Sequence, residues 1–405
     1  MTLLEATGGV KVEIADETAW VWELDGDFDT VHLHDAGSPR ALVWTDITTL
    51  CRSVDIQRGR NSALASFGVG KCDLEFIDNA GDLVDTNIVT GKCVRVTALN
   101  SSAVEQPLFA GYIDHRGGGI SWQYDGFQTL VRFRCYDLIG LVGDAVYDTV
   151  TEERAGLLAE EIVQGWWPGG GDAPMAVDRG RALIELDATL TPNDCAAAEQ
   201  GGFWCAADGE IRFDARFAGF DTARQATSQA TFTDDGGSDV GYSPVITYET
   251  TERFGAWNVN DYTAASTTAE ADWWPSASLS TPALNDPDGL DTKHLAEWML
   301  FQYETENVYP TGVSLVPGDD DRLDHVVERD LRDRVTIEHD PLGAESQRVH
   351  ECWIESIQHR ITPSSWSSTF GVSTVDRFDW ATPEDWMIVG TTLDRSKVGT
   401  GKVAP

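Results

Sequence analysis

Lysine is nearly missing from this chain of 405 residues, standing only at positions 11, 71, 92, 293, 397 and 402. Acids are not scarce: Asp and Glu total 67 against 29 Lys and Arg, for a formal net charge of −38. A field of that sign repels phosphates, so no nucleic-acid partner is expected. Long apolar runs are also lacking. No stretch reaches the ~20 residues that a membrane-crossing helix needs, so no stable membrane insertion is expected. The opening, Met1 to Ala6, has no basic segment ahead of an apolar one, and no secretory leader is expected. Abundant carboxylates with little lysine match the composition of high-salt proteins, in which the Debye length shrinks to ~3 Å at 1 M and screens self-repulsion. A high-GC genome gives a similar bias. The halophilic reading is favoured.

Paired cysteines are lacking too. The seven, Cys51, Cys72, Cys93, Cys135, Cys195, Cys205 and Cys352, form no CxxC, and the eight histidines do not cluster near them. Zinc needs clustered Cys and His ligands, so the thiols read as reduced, buried small hydrophobes. No GxSxG, HExxH, GxxxxGK[ST] or dinucleotide fingerprint is present. No catalytic residue, cofactor or metal is therefore expected. The run NDPDGLD (285–291) sets Asp286, Asp288 and Asp291 on a turn but lacks the bidentate Glu of a calcium-binding hand. The run GDDDRLD (318–324) is a second acidic turn. Both read as solvated loops. His32, His34, His325 and His339 read as surface or strand-face residues.

What is present is β pattern. Alternating runs at 10–14 (VKVEI), 53–57 (SVDIQ), 72–78 (CDLEFID), 93–99 (CVRVTAL) and 130–137 (LVRFRCYD) each give a strand with one buried face. Turn residues such as Asn79-Ala80-Gly81-Asp82 separate them. Residues 151–167 carry Leu157, Leu158, Ile162 and Trp166 at helical spacing, with Thr151 as a cap. The stretch 194–216 reads as a helix, a Gly-Gly break and a hairpin, Phe203–Ala206 and Glu210–Asp214, joined through Asp208-Gly209 in a type I′ turn. Residues 221–240 and 263–291 read as linkers or exposed loops. A second helix is expected over 292–303, with Leu295, Ala296, Met299 and Leu300 on one face. Strands follow at 312–316, 334–339, 350–361 and 367–373. The expected fold is mainly β (α+β): β-barrel or sandwich domains with a small inserted α/β module. Helices should be confined mainly to 151–167 and 292–303.

Several segments, taken together, resemble the minor tail and baseplate tail-hub proteins of long-tailed, siphovirus-like phages. In 53–83 (SVDIQRGRNSALASFGVGKCDLEFIDNAGDL) a strand ends in Arg-Gly-Arg and a second strand ends in a turn. LFAGYIDH (108–115), YDLIGLVG (136–143) and EQGGFWCAADGEIRFDAR (199–216) resemble later elements of that pattern. LRDRVTIEHDPLG (331–343) and WIESIQHRITPSSWSSTFGVS (353–373) resemble its closing strands. One departure stands out: Arg332 occupies the place where the family has Gly before Asp-Arg-Val, so that turn is expected to differ.

The resemblance implies a tail-hub-like structural protein, commonly a trimer, at the tail tip of a virion and assembled in the host cytoplasm. It implies contacts with itself and with other tail proteins: the tail tube or distal ring, the tape measure and fibres. The alternatives are a distal-tail ring protein, a host-surface adhesin, or a tail-associated envelope hydrolase. The expected division is an N-terminal β-barrel domain (1–145), a helix-plus-hairpin module (146–230), a C-terminal β-rich hub domain (231–375) and a tail (376–405). Fifteen tryptophans are present. Because loop tryptophans bury large area at low entropic cost, Trp273, Trp274, Trp380 and Trp386 are the interface candidates. Trp353 and Trp366 are expected in the core.

Overall fold

The computed structural model describes residues 9–15, 23–24, 31–32, 44–61, 65–81, 83, 88, 90–114, 118–124, 126–142, 153–166, 175–177, 183–184, 190–215, 227–233, 240–241, 247–250, 253–267, 274–280, 290–303, 308–339, 348–375, 386–387 and 402–403. The chain is mainly β. In order, the strands of its large sheet are β1 (Lys11–Ala15), β2 (Trp44–Asp46), β3 (Cys51–Gly59), β4 (Gly68–Ile77), β5 (Cys93–Leu99), β6 (Glu105–Ile113), β7 (Ile120–Tyr124) and β8 (Thr129–Tyr136) from the first half. From the second half come β9 (Thr231–Thr233), β10 (Val240–Gly241), β11 (Thr247–Thr250), β12 (Val308–Leu315), β13 (Arg334–His339), β14 (Arg348–Thr362) and β15 (Ser365–Thr374).

These fifteen strands form one sheet. Its main path runs β10-β9-β13-β14-β3-β4-β8-β6-β5-β1-β2, with β15, β12 and β11 branching from β14 and β7 from β8. The join between the halves is the antiparallel pair β3–β14, in register from Val54↔Ile361 to Gly59↔Ser356. One core follows from that join. Val12, Ile56, Phe76, Phe109 and Phe133 belong to the same buried cluster as Phe232, Val335, Ile357 and Phe370. Burying each phenylalanine contributes roughly 1.5–3 kcal/mol. Trp366 and Trp353 are buried as expected.

Two satellites carry their own cores. Helix α1 (Ala155–Trp166) packs on helix α2 (Pro192–Glu199) and the hairpin Gly202–Cys205/Ile211–Asp214, around Ile162, Val163, Phe203 and Phe213. Thr191 and Asp194 close a capping box on α2, which satisfies donors that a helix start leaves unpaired. The buried face of α1 is Ala155, Leu158, Ala159, Ile162 and Val163; Trp166, expected on that face, is exposed. In the second satellite, helix α3 (Leu290–Tyr303) lies on three short strands, Ala256–Val259, Tyr262–Ala265 and Ser276–Leu279, with Leu295, Ala296, Met299 and Leu300 buried as expected.

Four expectations need correction. Residues 221–240 and 263–291 are not wholly linker: β9 and β10 lie in the first, and Tyr262–Ala265, which crosses its start, and Ser276–Leu279 in the second. Thr-, Ser- and Asp-rich composition hid strands paid for by neighbours rather than by their own apolar content. The acidic turn at 318–324 opens a helix, α4 (Asp320–Glu328). The Asp319 side chain accepts from Arg322 N, and Asp320 and Asp321 sit in the first turn, where carboxylates oppose the positive end of the helix dipole. The hairpin turn is not type I′, which needs positive φ at both central residues. Gly209 alone has it, at φ 94, and its N–H reaches Ala206 O at 3.1 Å. That is a type I turn over Ala207-Asp208 closed by a left-handed glycine.

Candidate functional site

Where the two halves and the hairpin module meet, the sheet holds a buried charge cluster. Gly59 ends β3 at φ +100, and a Cβ there would lie 2.1 Å from Glu355 O, so only glycine allows the approach. Beyond it Arg60 turns inward. A register shift between Ile354 and Ser356 in β14 leaves Glu355 as the extra residue of a bulge, which re-aims its side chain into the protein. Arg60 Nε donates to Glu355 Oε2 at 2.7 Å and Nη2 to Oε1 at 3.1 Å. Arg332 Nη1 and Ser373 Oγ donate to Oε1 at 3.0 and 2.6 Å. Burial pushes the Glu355 carboxyl up, but the charges of Arg60 and Arg332, with the hydrogen bonds, outweigh it and hold it at about 2.

Beside it, Arg58 Nη2 donates to Asp330 Oδ1 at 2.8 Å, and Nη1 reaches Cys205 O at 3.4 Å. Asp330 Oδ2 accepts from Ala207 N at 3.2 Å. This pair therefore ties β3, the 329–333 turn and the hairpin module together. Burial raises Asp330, and the Arg58 charge with backbone N–H donors brings it below the usual carboxylate range. Carboxylates this saturated with donors cannot serve as general bases near neutral pH. The cluster is a joint. Asp137 differs: burial lifts it to about 7, against hydrogen bonds from Gly70 N and Ile139 N.

The solvent face of the same sheet is organised in cross-strand rows. One row reads Ser367, Arg360, Asp55, Asp73, Arg134 across β15, β14, β3, β4 and β8. Arg360 pairs with Asp55 at 3.4 Å and Arg134 with Asp73 at 3.7 Å. In the next row out, Arg132 and Arg52 both reach Glu75, at 2.8 and 3.6 Å. On the other side the row is Ser314, Thr369, Gln358, Gln57, Lys71, Tyr136. All of these but Tyr136 line a trough of about 480 Å³, whose lining also contains Gly59, Gly312 and Gly371 and, among the described residues, no acidic side chain.

A third feature projects from the body. Among the described residues strand β7 pairs only with β8, at the margin of the sheet. Trp122 stands opposite Val131 and Tyr124 opposite Thr129. Val131 is buried, yet Trp122 is 54 % exposed, Tyr124 73 % and Phe127, in the turn, 94 %. The hairpin thus carries the core-facing side of the sheet past the end of the core.

No protein-family model matches the chain, and no curated protein matches it by sequence. Solved structures do match by shape. A tail protein from Neisseria meningitidis MC58 aligns with a TM-score of 0.54 at 11 % identity, covering 81 % of this chain and 93 % of that one. The 43 kDa tail protein of prophage MuSo2 from Shewanella oneidensis aligns with a TM-score of 0.53 at 13 % identity, covering 83 % and 97 %. The chain has a tail-protein fold. The large, mostly antiparallel sheet with a helix-and-hairpin satellite is that fold's body here, and the charge cluster is its internal joint.

The residues singled out in the sequence fall elsewhere. Trp273 and Trp380 lie outside the described residues, and Trp386 lies in a two-residue strand whose side chains are not described. Trp274 is half-buried, with the Arg253 guanidinium 3.2 Å above its ring. Asp286 and Asp288 also lie outside the described residues. Among those described, no three His, Cys, Asp or Glu side chains converge as a metal site, and no helix is long and apolar enough to cross a membrane. The cysteines are unbridged, and burial pushes Cys93 and Cys195 up to about 12. The sequence reading notes Arg58 and Arg60 only as the Arg-Gly-Arg that ends a strand, and does not single out Trp122, Tyr124, Phe127 or Glu355. Alternation at 120–124 was the available signal for the hairpin.

Proposed function

We propose that the protein is a structural subunit of a virion tail, at the tip or baseplate, and acts as a hub joining the tail tube or distal ring to fibres or receptor-binding parts. In this reading it catalyses no step, and its partners are copies of itself, as a trimer, and neighbouring tail proteins. The division at about 145, 230 and 375 is part of the same proposal, as are the virion location and a high-salt source for so acidic and lysine-poor a surface.

The observation that carries a binding role is the β7–β8 hairpin. Three aromatic side chains stand exposed within six residues, and the stretch 118–130 contains one charged residue, Asp125, in a chain that is 24 % charged. Aromatic enrichment with charge depletion is the composition of interface centres, and exposed apolar patches mark contact sites. Trp274, Trp273, Trp380 and Trp386 remain further contact candidates. Replacing Trp122, Tyr124 and Phe127 together by serine tests the reading. Because the side chains are exposed, the variant should fold and melt within a few degrees of the parent. It should fail to enter particles. Normal incorporation would refute the hairpin's role.

A further inference from the structure

We propose that the trough around Lys71 is a docking site for an acid-bearing surface of a second copy of this chain. The argument rests on charge. Four arginines share the solvent face of β3, β4, β8 and β14 with Lys71, and each is paired with a carboxylate: Arg52 and Arg132 with Glu75, Arg134 with Asp73, Arg360 with Asp55. Lys71 makes no ion pair among the described residues, though it is exposed. Its neighbours in register, Gln57 and Tyr136, carry no charge that answers it.

The trough itself contrasts with the rest of the chain. Acids make up 67 of 405 residues, yet none of those described lines this concavity. The floor offers hydrogen-bonding groups, Gln57, Ser314, Gln358 and Thr369, and the glycines at 312 and 371 leave the depth open. A Cβ at Gly371 would lie 2.2 Å from Ser356 Oγ. A surface so built accepts carboxylates and extended backbone and rejects cations. The complement is an acidic surface, and a chain with 67 acids against 29 Lys and Arg has acids in excess to supply one. Contact between a patch whose one exposed cation is Lys71 and a different, acidic patch is heterologous, the type that closes into rings when the rotation allows. The inference rests on the reading above, that the subunit repeats around a tail axis.

The test uses the full chain across a salt series from physiological to molar, which screens the self-repulsion of the −38 charge at its upper end, with sedimentation measuring self-association across concentration and particle incorporation measured separately. Lys71→Glu should weaken self-association about tenfold or more, a loss of the size that follows when like charges are set against each other. Lys71→Arg should restore it, and both variants should melt with the parent. Parental association that Lys71→Glu leaves unchanged would overturn the docking site and leave the tail reading intact. A parent that stays monomeric in solution yet enters particles would also overturn it. Failure of the parent to enter particles would count against the tail reading itself.

Discussion

Two sets of arginines in this protein meet carboxylates in opposite surroundings. Arg58, Arg60 and Arg332 are buried or nearly so and hold Asp330 and Glu355. Arg52, Arg132, Arg134 and Arg360 stand half or more exposed on the sheet's outer face. The distances overlap, so geometry alone does not separate the sets. Solvent does. Water and salt screen the outer ladder, and exposed pairs contribute roughly 0–1 kcal/mol. The inner cluster has no such relief: removing one partner strands a charge where nothing can solvate it. The inner arginines thus fix where three pieces of chain meet, and the outer ones adjust the charge pattern of a surface.

The comparison is broken hardest at Glu355. Glu355→Ala should destabilise by about 3–5 kcal/mol, because it leaves Arg60 and Arg332 facing each other without an anion. A loss of less than about 1 kcal/mol in urea titrations would mean the cluster is wetter than its burial implies.

A smaller, graded effect comes from pH. Burial, with the Arg58 charge adding, depresses His359 to about 3. As pH falls below 6.5 the unfolded chain takes up a proton that the folded one refuses, so stability is lost through that window. Asp137 works in reverse. Its folded value of about 7 exceeds its ordinary value, so the folded chain binds the proton first and gains stability as pH falls from about 7 to about 4. The two nearly cancel in the parent between about 4 and 6.5. His359→Gln removes one side of that balance. Its stability relative to the parent should rise by about 1.4 kcal/mol per unit as pH falls from 6.5 to 4.5, and parallel curves in denaturant titrations at several pH values would contradict it.

The smallest effect belongs to the outer ladder. Asp73→Asn should change stability by no more than about 0.5 kcal/mol. It breaks the pair with Arg134 but also ends the opposition of Asp55 and Asp73, which face each other in register and repel. A loss above about 1.5 kcal/mol would show the two sets of arginines to be less different than their exposure suggests.

The strands were legible because a half-buried sheet writes itself into sequence with period two. The runs at 93–99 and 334–339 match their strands to the residue. What alternation cannot report is whether a face is covered. Trp122 and Tyr124 alternate like any strand residues, and only the overhang of β7 beyond the core makes them a surface. Nor can local pattern find Glu355, whose partners Arg60 and Ser373 lie far off in sequence on one side and across a hairpin on the other. Helix α4 was hidden because three aspartates in a row look like loop until one of them is placed as a cap. Arg332 was legible in an unusual way. It stood out as the residue where glycine was expected, and its φ is 64, a left-handed conformation costing a non-glycine residue roughly 1–2 kcal/mol. The turn therefore has the shape a glycine would suit. The arginine stays in it while its guanidinium answers Glu355.

The β3–β14 pair has a consequence for synthesis. Arg58 and Ile357 are opposite each other in the ladder, roughly 300 residues apart along the chain. At ~5–20 residues per second a ribosome needs roughly 15–60 s to make the second after the first. Throughout that interval β3 presents an open hydrogen-bonding edge that a strand of another nascent chain could occupy. Closing so long a loop is also slow. Until β14 arrives, a chain growing on a neighbouring ribosome can compete with it for the same edge.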